Sequence, residues 1–365
     1  MEPEPKDIHT RFYEIDLLRF LAAILVVIYH YTFIVYNLSN LSPVRYEYFE
    51  PITKYFYLGV ELFFVISGYV VLMSAYKKTL KQFLISRITR LYPAFWVACT
   101  LTFIIILFFG PTLQSLAWSE NMHVTKMQYI VNMTMLQHFL GYSDIDGAYW
   151  TLATEINFYF LISLLMSYKI FKEIDIFILI WIIYTGAAQL SAATDTPFHY
   201  LLIPEYSSFF IAGMLFYVLQ NNLMPLWKIY GLLIASFILC VRSAWIEAQV
   251  HTRVFHQPHS VTIVALVIAF IFVFFWLIVK RKIDMSRFPW LNRLGAITYP
   301  LYLLHSNIGY ILFQKINYSV NKYFLLISII GLMLVASYLV HVFIEKRFSS
   351  LLGKQMNKLL LYLSS

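Results

Sequence analysis

Apolar runs of about 18 to 25 residues, the length that crosses a hydrocarbon core of roughly 30 Å, recur along the whole of this chain. Runs of that length read as membrane-spanning helices and exclude an ordinary water-soluble domain. The composition agrees. Only 13% of the 365 residues are charged, where soluble domains carry about a quarter, 60% are hydrophobic, and mean hydropathy is +0.69. The expected fold class is an all-α integral membrane bundle. No repeat, low-complexity tract or second domain stands out, so residues 1–365 read as one unit with a core from about 12 to 345.

Ten spans are expected: Phe12–Tyr36, Tyr57–Tyr76, Leu91–Gly110, Ala148–Tyr168, Ile174–Leu190, Leu201–Gln220, Pro225–Trp245, Val261–Val279, Tyr299–Ile316 and Tyr323–Ile344. With the N-terminus in the cytoplasm, 20 of the 27 Lys and Arg fall on the inner side and 7 outside. That asymmetry orients the bundle, and an even span number returns the tail from Glu345 to the cytoplasm. The net charge of +8 thus reports topology and does not point to nucleic acid. Cys99 and Cys240 both lie in apolar runs, which supports neither a disulfide framework nor a zinc site. The N-terminal segment lacks a basic n-region and cleavage site, so the first span is expected to persist as a helix. The outer stretch Met127–Leu140 is apolar enough for a short interfacial or re-entrant helix.

In such a chain the informative residues are the ionisable ones inside spans, because each costs at least a few kcal/mol to place there. Span one carries Asp16, Arg19 and His30. Arg19 and His30 are eleven residues apart, about three turns, and so share a face about 16 Å apart along the axis. Taken alone, Arg19 snorkelling to the inner interface and His30 bonded between helices is an equally good account. Span four brings Glu155 to a depth matching His30, where a carboxylate could orient an imidazole acting as general base. A self-neutralising structural pair is the bland alternative. Span two holds Glu61, near enough to the outer interface to be simply solvated, and the polar kink Ser67-Gly68.

The inner loop Lys77–Arg90 ends in Arg87-Ile-Thr-Arg90, two guanidinium groups three residues apart that suit phosphate oxygens, although a positive-inside anchor explains most such pairs. His305, followed by Ser306-Asn307, is more often an interhelical hydrogen-bond donor than a catalyst. His199 and His341 have no companions at metal-ligand spacing; His251, His256 and His259 could bind an adventitious metal but match no strong template, and no metal is expected.

Together several segments resemble the membrane-bound acyltransferase type 3 family, which contains bacterial O-acyltransferases of surface glycans. They are Asp16-Leu-Leu-Arg19-Phe-Leu-Ala with His30 after ten residues, Gly59-Val-Glu-Leu-Phe-Phe-Val-Ile-Ser-Gly68, Arg87-Ile-Thr-Arg90-Leu-Tyr-Pro, Trp150-Thr-Leu-Ala-Thr-Glu155 with Phe158-Tyr159, and Thr298-Tyr-Pro-Leu-Tyr-Leu-Leu-His305. They follow the family's order from Tyr13 to about Glu345. The resemblance implies ten core helices, an acyl-coenzyme A donor reaching in from the cytoplasm, a catalytic histidine at His30, and donor contacts at Arg87 and Arg90. Some members carry an extracytoplasmic hydrolase-like domain; none is expected here, which leaves acceptor chemistry to the bundle.

The expected activity is therefore transfer of an acyl group, by default acetyl from acetyl-CoA, to a hydroxyl of a surface or lipid-linked glycan by a multi-pass protein of the bacterial inner membrane. Arg19, Arg87 and Arg90 would hold the donor phosphates while His30, oriented by Glu155, takes the acceptor proton. A two-step path through an acyl-imidazole is an alternative. Glu61, Ser67, Tyr149, Trp150 and His305 are candidates for the acceptor or the oxyanion. Two rivals remain: an acyltransferase acting on a small molecule, and a proton-coupled transporter or flippase in which His30 and Glu155 relay protons.

Overall fold

The computed structural model describes residues 12–38, 42–110, 122–191, 198–316 and 320–363, and among these there is helix and turn but no strand. The principal helices are α1 (Tyr13–Tyr29), α2 (Gly59–Lys77), α3 (Leu80–Phe109), α4 (Lys126–Asn132), α5 (Trp150–Ser167), α6 (Ile174–Ser191), α7 (Ser207–Asn221), α8 (Leu226–Phe255), α9 (Val261–Val279), α10 (Leu291–Leu304), α11 (Ser306–Ile316), α12 (Lys322–Val340) and α13 (Lys346–Leu363). Seven helical segments among the described residues are long and apolar enough to cross a membrane: Tyr13–Asn37, Phe56–Lys77, Leu80–Phe109, Ile170–Ser191, Leu226–Phe255, Val261–Val279 and Lys322–Leu359. The chain is an all-α membrane protein.

Three of the ten apolar runs fall outside that set for visible reasons. Helix α5 is diluted by Thr151, Thr154, Glu155 and Asn157; α7 has only 15 residues; and Tyr299–Ile316 is divided at His305 into α10 and α11. Outward-facing residues such as Phe108, 73% exposed, and Leu266, 64% exposed, form a surface suited to lipid rather than water.

Other boundaries also differ from the sequence expectation. The segment read as the loop Lys77–Arg90 is helical from Leu80, since no proline interrupts it before Pro93, and so the two arginines stand on α3. Past Val340 the chain passes through a π turn, His341–Glu345, and continues as α13 over the tail that follows the tenth expected span. The stretch Met127–Leu140 forms α4 followed by turns, and α4 opens on a capping box in which Thr125 and Gln128 exchange side-chain to backbone bonds.

Contacts divide the chain into two compact units, the first made of Met1–Ala22, Leu58–Leu80 and Thr154–Asn292 and the second of Ala23–Tyr57, Lys81–Ala153 and Arg293–Ser365. The first is organised around α7, which is buried from Ser207 to Leu219 and packs on α2, α6, α8 and α9. A Cβ on Gly68 of α2 would lie 2.1 Å from the Phe210 carbonyl oxygen, and one on Gly213 of α7 would lie 2.0 Å from that of Val65. Two glycines thus let two helix backbones touch. Helix α2 runs unbroken through Ser67-Gly68, the expected kink site, and the glycine there serves close packing. In the second unit the end of α1, rewound as a π turn over His30–Ile34, packs on α11, and α11 packs on α12.

Candidate active site

His30 stands at the start of the π turn. A switch from α to π winding strands a carbonyl, and such turns mark functional sites often enough to merit a close look. Here side chains reach back to carbonyls four residues earlier: His30 Nδ1 lies 2.8 Å from Val26 O, Thr32 Oγ1 donates to Ile28 O at 2.7 Å, and Asn37 Nδ2 to Phe33 O at 2.8 Å. The second imidazole is His305, fully buried at the break between α10 and α11, with its Nε2 3.2 Å from His30 Nδ1 and its own Nδ1 2.7 Å from Tyr302 O.

The partners assign the protons. A carbonyl can only accept, so His305 Nδ1 carries a hydrogen and neutral His305 presents a lone pair at Nε2. His30 Nδ1, facing the Val26 carbonyl and that lone pair, must likewise be the protonated nitrogen. In neutral His30 the basic lone pair is then on Nε2, the tautomer a general base of this kind requires.

The break that places His305 is itself fixed by buried polar groups in the second unit. Tyr31 donates to His305 O at 2.7 Å, and its ring fills the space where a Cβ on Gly309 would stand, 2.4 Å from Tyr31 Cε1. Asp146 accepts from Asn307 N at 2.9 Å through Oδ2 and from Ala148 N at 2.9 Å through Oδ1, which satisfies an orphan amide at the start of α11. Asn307 Nδ2 donates to Ile145 O at 2.8 Å. Burial pushes the Asp146 carboxyl up to about 7, against the opposing pull of the Ala148 and Asn307 amides. The loop bearing it is held from α4, whose Asn132 Nδ2 donates to Ser143 O at 3.0 Å and whose Asn132 Oδ1 accepts from Ile145 N at 3.1 Å.

Of the other candidates in this unit, Tyr149 is fully buried and donates to Leu303 O at 3.3 Å, and Trp150 opens α5 in a half-buried position. Arg87 is buried on α3, its guanidinium 5.5 Å from the Phe83 ring centre, while Arg90 is half-buried and interacts with Glu345, which in turn bonds His341 Nδ1 at 2.6 Å.

In the first unit Glu155 is the focus of a second cluster: its Oε1 accepts from Ser67 Oγ at 2.9 Å and from Tyr159 Oη at 2.5 Å. Arg19 is half-buried on α1. Glu61 is not solvated, as its place near a helix end suggested, but 3% exposed within α2. Among the described residues no group of histidine, cysteine and acidic side chains could hold a metal ion.

The structure thus brings His30 to His305 and Glu155 to Ser67 and Tyr159. Sequence reasoning overlooked Tyr31 and Asp146 and gave Asn307 no role. The signal was present in Asp144-Ile-Asp146-Gly147, two carboxylates beside an apolar run, and in the tyrosine adjoining a singled-out histidine.

A family model described as an acyltransferase domain matches residues 12–345. Peptidoglycan O-acetyltransferase OatA of Listeria monocytogenes serovar 1/2a is 31% identical over 158 residues, covering 40% of this chain and 22% of that protein. The chain therefore aligns with about a fifth of that relative. ORF330 of Acidianus two-tailed virus, provisionally named as an acetyltransferase, is 23% identical over 275 residues, 74% of this chain and 77% of the viral protein. No solved structure gives a significant match.

Proposed function

The chain belongs to this acyltransferase family, and from that premise we propose that it is a membrane O-acyltransferase moving an acetyl group from cytoplasmic acetyl-CoA to a hydroxyl of a surface or lipid-linked glycan. The single observation that carries the mechanism is the 3.2 Å contact between His305 Nε2 and His30 Nδ1, since it leaves the lone pair of His30 on Nε2. His30 Nε2 removes the acceptor hydroxyl proton as its oxygen attacks the thioester carbonyl. Collapse of the tetrahedral intermediate breaks the C–S bond, and the imidazolium returns its proton to the departing coenzyme A thiolate. General-base help of this kind contributes about 10² to 10⁴ in rate.

Arg87 and Arg90 hold the anionic phosphates of the donor, with Arg19 as a further cation for the same task. Their fork geometry and permanent charge suit phosphate oxygens. Glu155, held by the hydroxyls of Ser67 and Tyr159, supports His30 as general base. Tyr149, Trp150, Glu61 and Ser67 serve the acceptor or the oxyanion. The glycan acceptor is inferred from the Listeria relative, whose name specifies peptidoglycan; the apolar spans support a membrane location, which this reading takes to be the bacterial cell membrane.

The test is thiol release from acetyl-CoA by the purified full chain, offered glycan fragments, lipid-linked sugars and small amino alcohols in turn. Stimulation by glycan acceptors alone is the expected result. Stimulation by small molecules alone would replace the acceptor class, and no thiol release with any acceptor would remove the acyl-transfer reading.

A further inference from the structure

Helix α13 lies beyond the matched segment, which ends at residue 345. It carries Lys346, Arg347, Lys354 and Lys358 with no Asp or Glu among its 18 residues, while Phe348, Leu351 and Leu352 fall at i, i+3 and i+4 along one side. Phe348 and Leu351 are half exposed. A basic, carboxylate-free helix with bulky apolar residues along one side can meet both anionic lipid headgroups and acyl chains.

The helix is also seated against α3. A Cβ on Gly353 would meet Thr89 Cγ2 at 3.4 Å, so the two helices come together between Arg87 and Arg90. Beyond that contact Pro93, Trp96 and Val97 of α3 and Ile344, Phe348 and Leu352 line an apolar groove of about 250 Å³. Because Gly353 meets Thr89 while Ile344 and Phe348 face Pro93 to Val97, the helices are antiparallel. Lys354 and Lys358 therefore lie toward the basic end of α3, where Lys81 and Arg87 sit, and the groove leads away from that end.

We infer that α13 and this groove form a docking site for an anionic membrane phospholipid, one acyl chain in the groove and the phosphate headgroup at Lys354 and Lys358. Charge complementarity selects this occupant, for the four cations of α13 have no carboxylate within the helix to neutralise them. The lipid would brace α13 against the segment of α3 that carries Arg87 and Arg90. The inference stands apart from the acyl-transfer reading, since it uses neither His30 nor the donor.

The test is native mass spectrometry of the full chain released from nanodiscs holding phosphatidylglycerol and phosphatidylcholine in equal amounts. Wild-type protein is expected to retain phosphatidylglycerol over phosphatidylcholine by about tenfold, and Lys354→Gln with Lys358→Gln, both exposed, to bring the ratio close to one. Leu352→Trp, which fills the groove, should lower retention of both lipids. Equal retention by the wild type, an unchanged preference in the double lysine variant, or protection of the groove by acetyl-CoA in place of lipid would each overturn the inference.

Discussion

His305 Nε2 lies 3.2 Å from His30 Nδ1, and through that contact a fully buried histidine sets the tautomer of a half-buried one. The consequence is kinetic. His305→Ala removes one of the two acceptors at His30 Nδ1 and leaves the Val26 carbonyl alone to hold the tautomer and the ring orientation. Turnover should fall by about 10- to 100-fold with the KM for acetyl-CoA little changed, whereas an equal rise in KM with unchanged turnover would place His305 in substrate binding.

Asp146 makes stability depend on pH in a stated direction. Its carboxyl titrates near 7 in the folded protein, above the ordinary 3.8, so the folded state binds this proton more tightly than the unfolded one. The resulting stabilisation is complete below about pH 4 and is lost as pH rises through about 7. Asp146→Asn cannot titrate and also loses one acceptor for the two amides. In detergent its Tm should be lower than wild type, with a flatter profile between pH 4 and 7; a wild-type profile that rises across this window would contradict the assignment.

The glycines at the two helix contacts are sensitive to a single methyl group. Gly68→Ala and Gly213→Ala each drive a Cβ into a backbone oxygen near 2 Å, and helix backbones cannot yield locally. Folded yield should collapse for both, a loss of about 3 kcal/mol or more, while Gly231→Ala, where nothing lies within 4 Å, should be neutral or slightly favourable. Gly309→Ala meets the buried Tyr31 ring and should cost both stability and activity, since Tyr31 also holds the His305 carbonyl.

Glu155 takes two hydroxyl donors on one oxygen, and each can be removed separately. Tyr159→Phe and Ser67→Ala should each slow transfer by several-fold and together by more than either alone, because the carboxylate is progressively less well held. Rates unchanged in the double variant would show that the hold of these two hydroxyls on Glu155 has no part in the reaction.

Much of the architecture was legible because charge is so scarce: helices α2, α5, α6 and α9 coincide closely with apolar runs, and His30, Glu155 and Arg87 were conspicuous as costly residues. What the sequence hid was local. A π turn depends on which carbonyls find side-chain donors, and composition does not record that. The break at His305 is produced by Asp146, some 160 residues earlier in the chain, through a bond to Asn307 that no periodicity announces. Gly68 looked like a bend because glycine weakens an isolated helix, yet its use here is contact with α7. The arginines of α3 were assigned to a loop because charge interrupts the hydropathy signal, although helix formers continue through it.

The central claim is that His30 Nε2 takes the acceptor proton, and it is tested most directly by the rate of acetyl transfer from acetyl-CoA in His30→Ala, purified and shown to be folded. The account predicts a fall of about 10² to 10⁴ in turnover with donor binding retained. Transfer at the wild-type rate would contradict it.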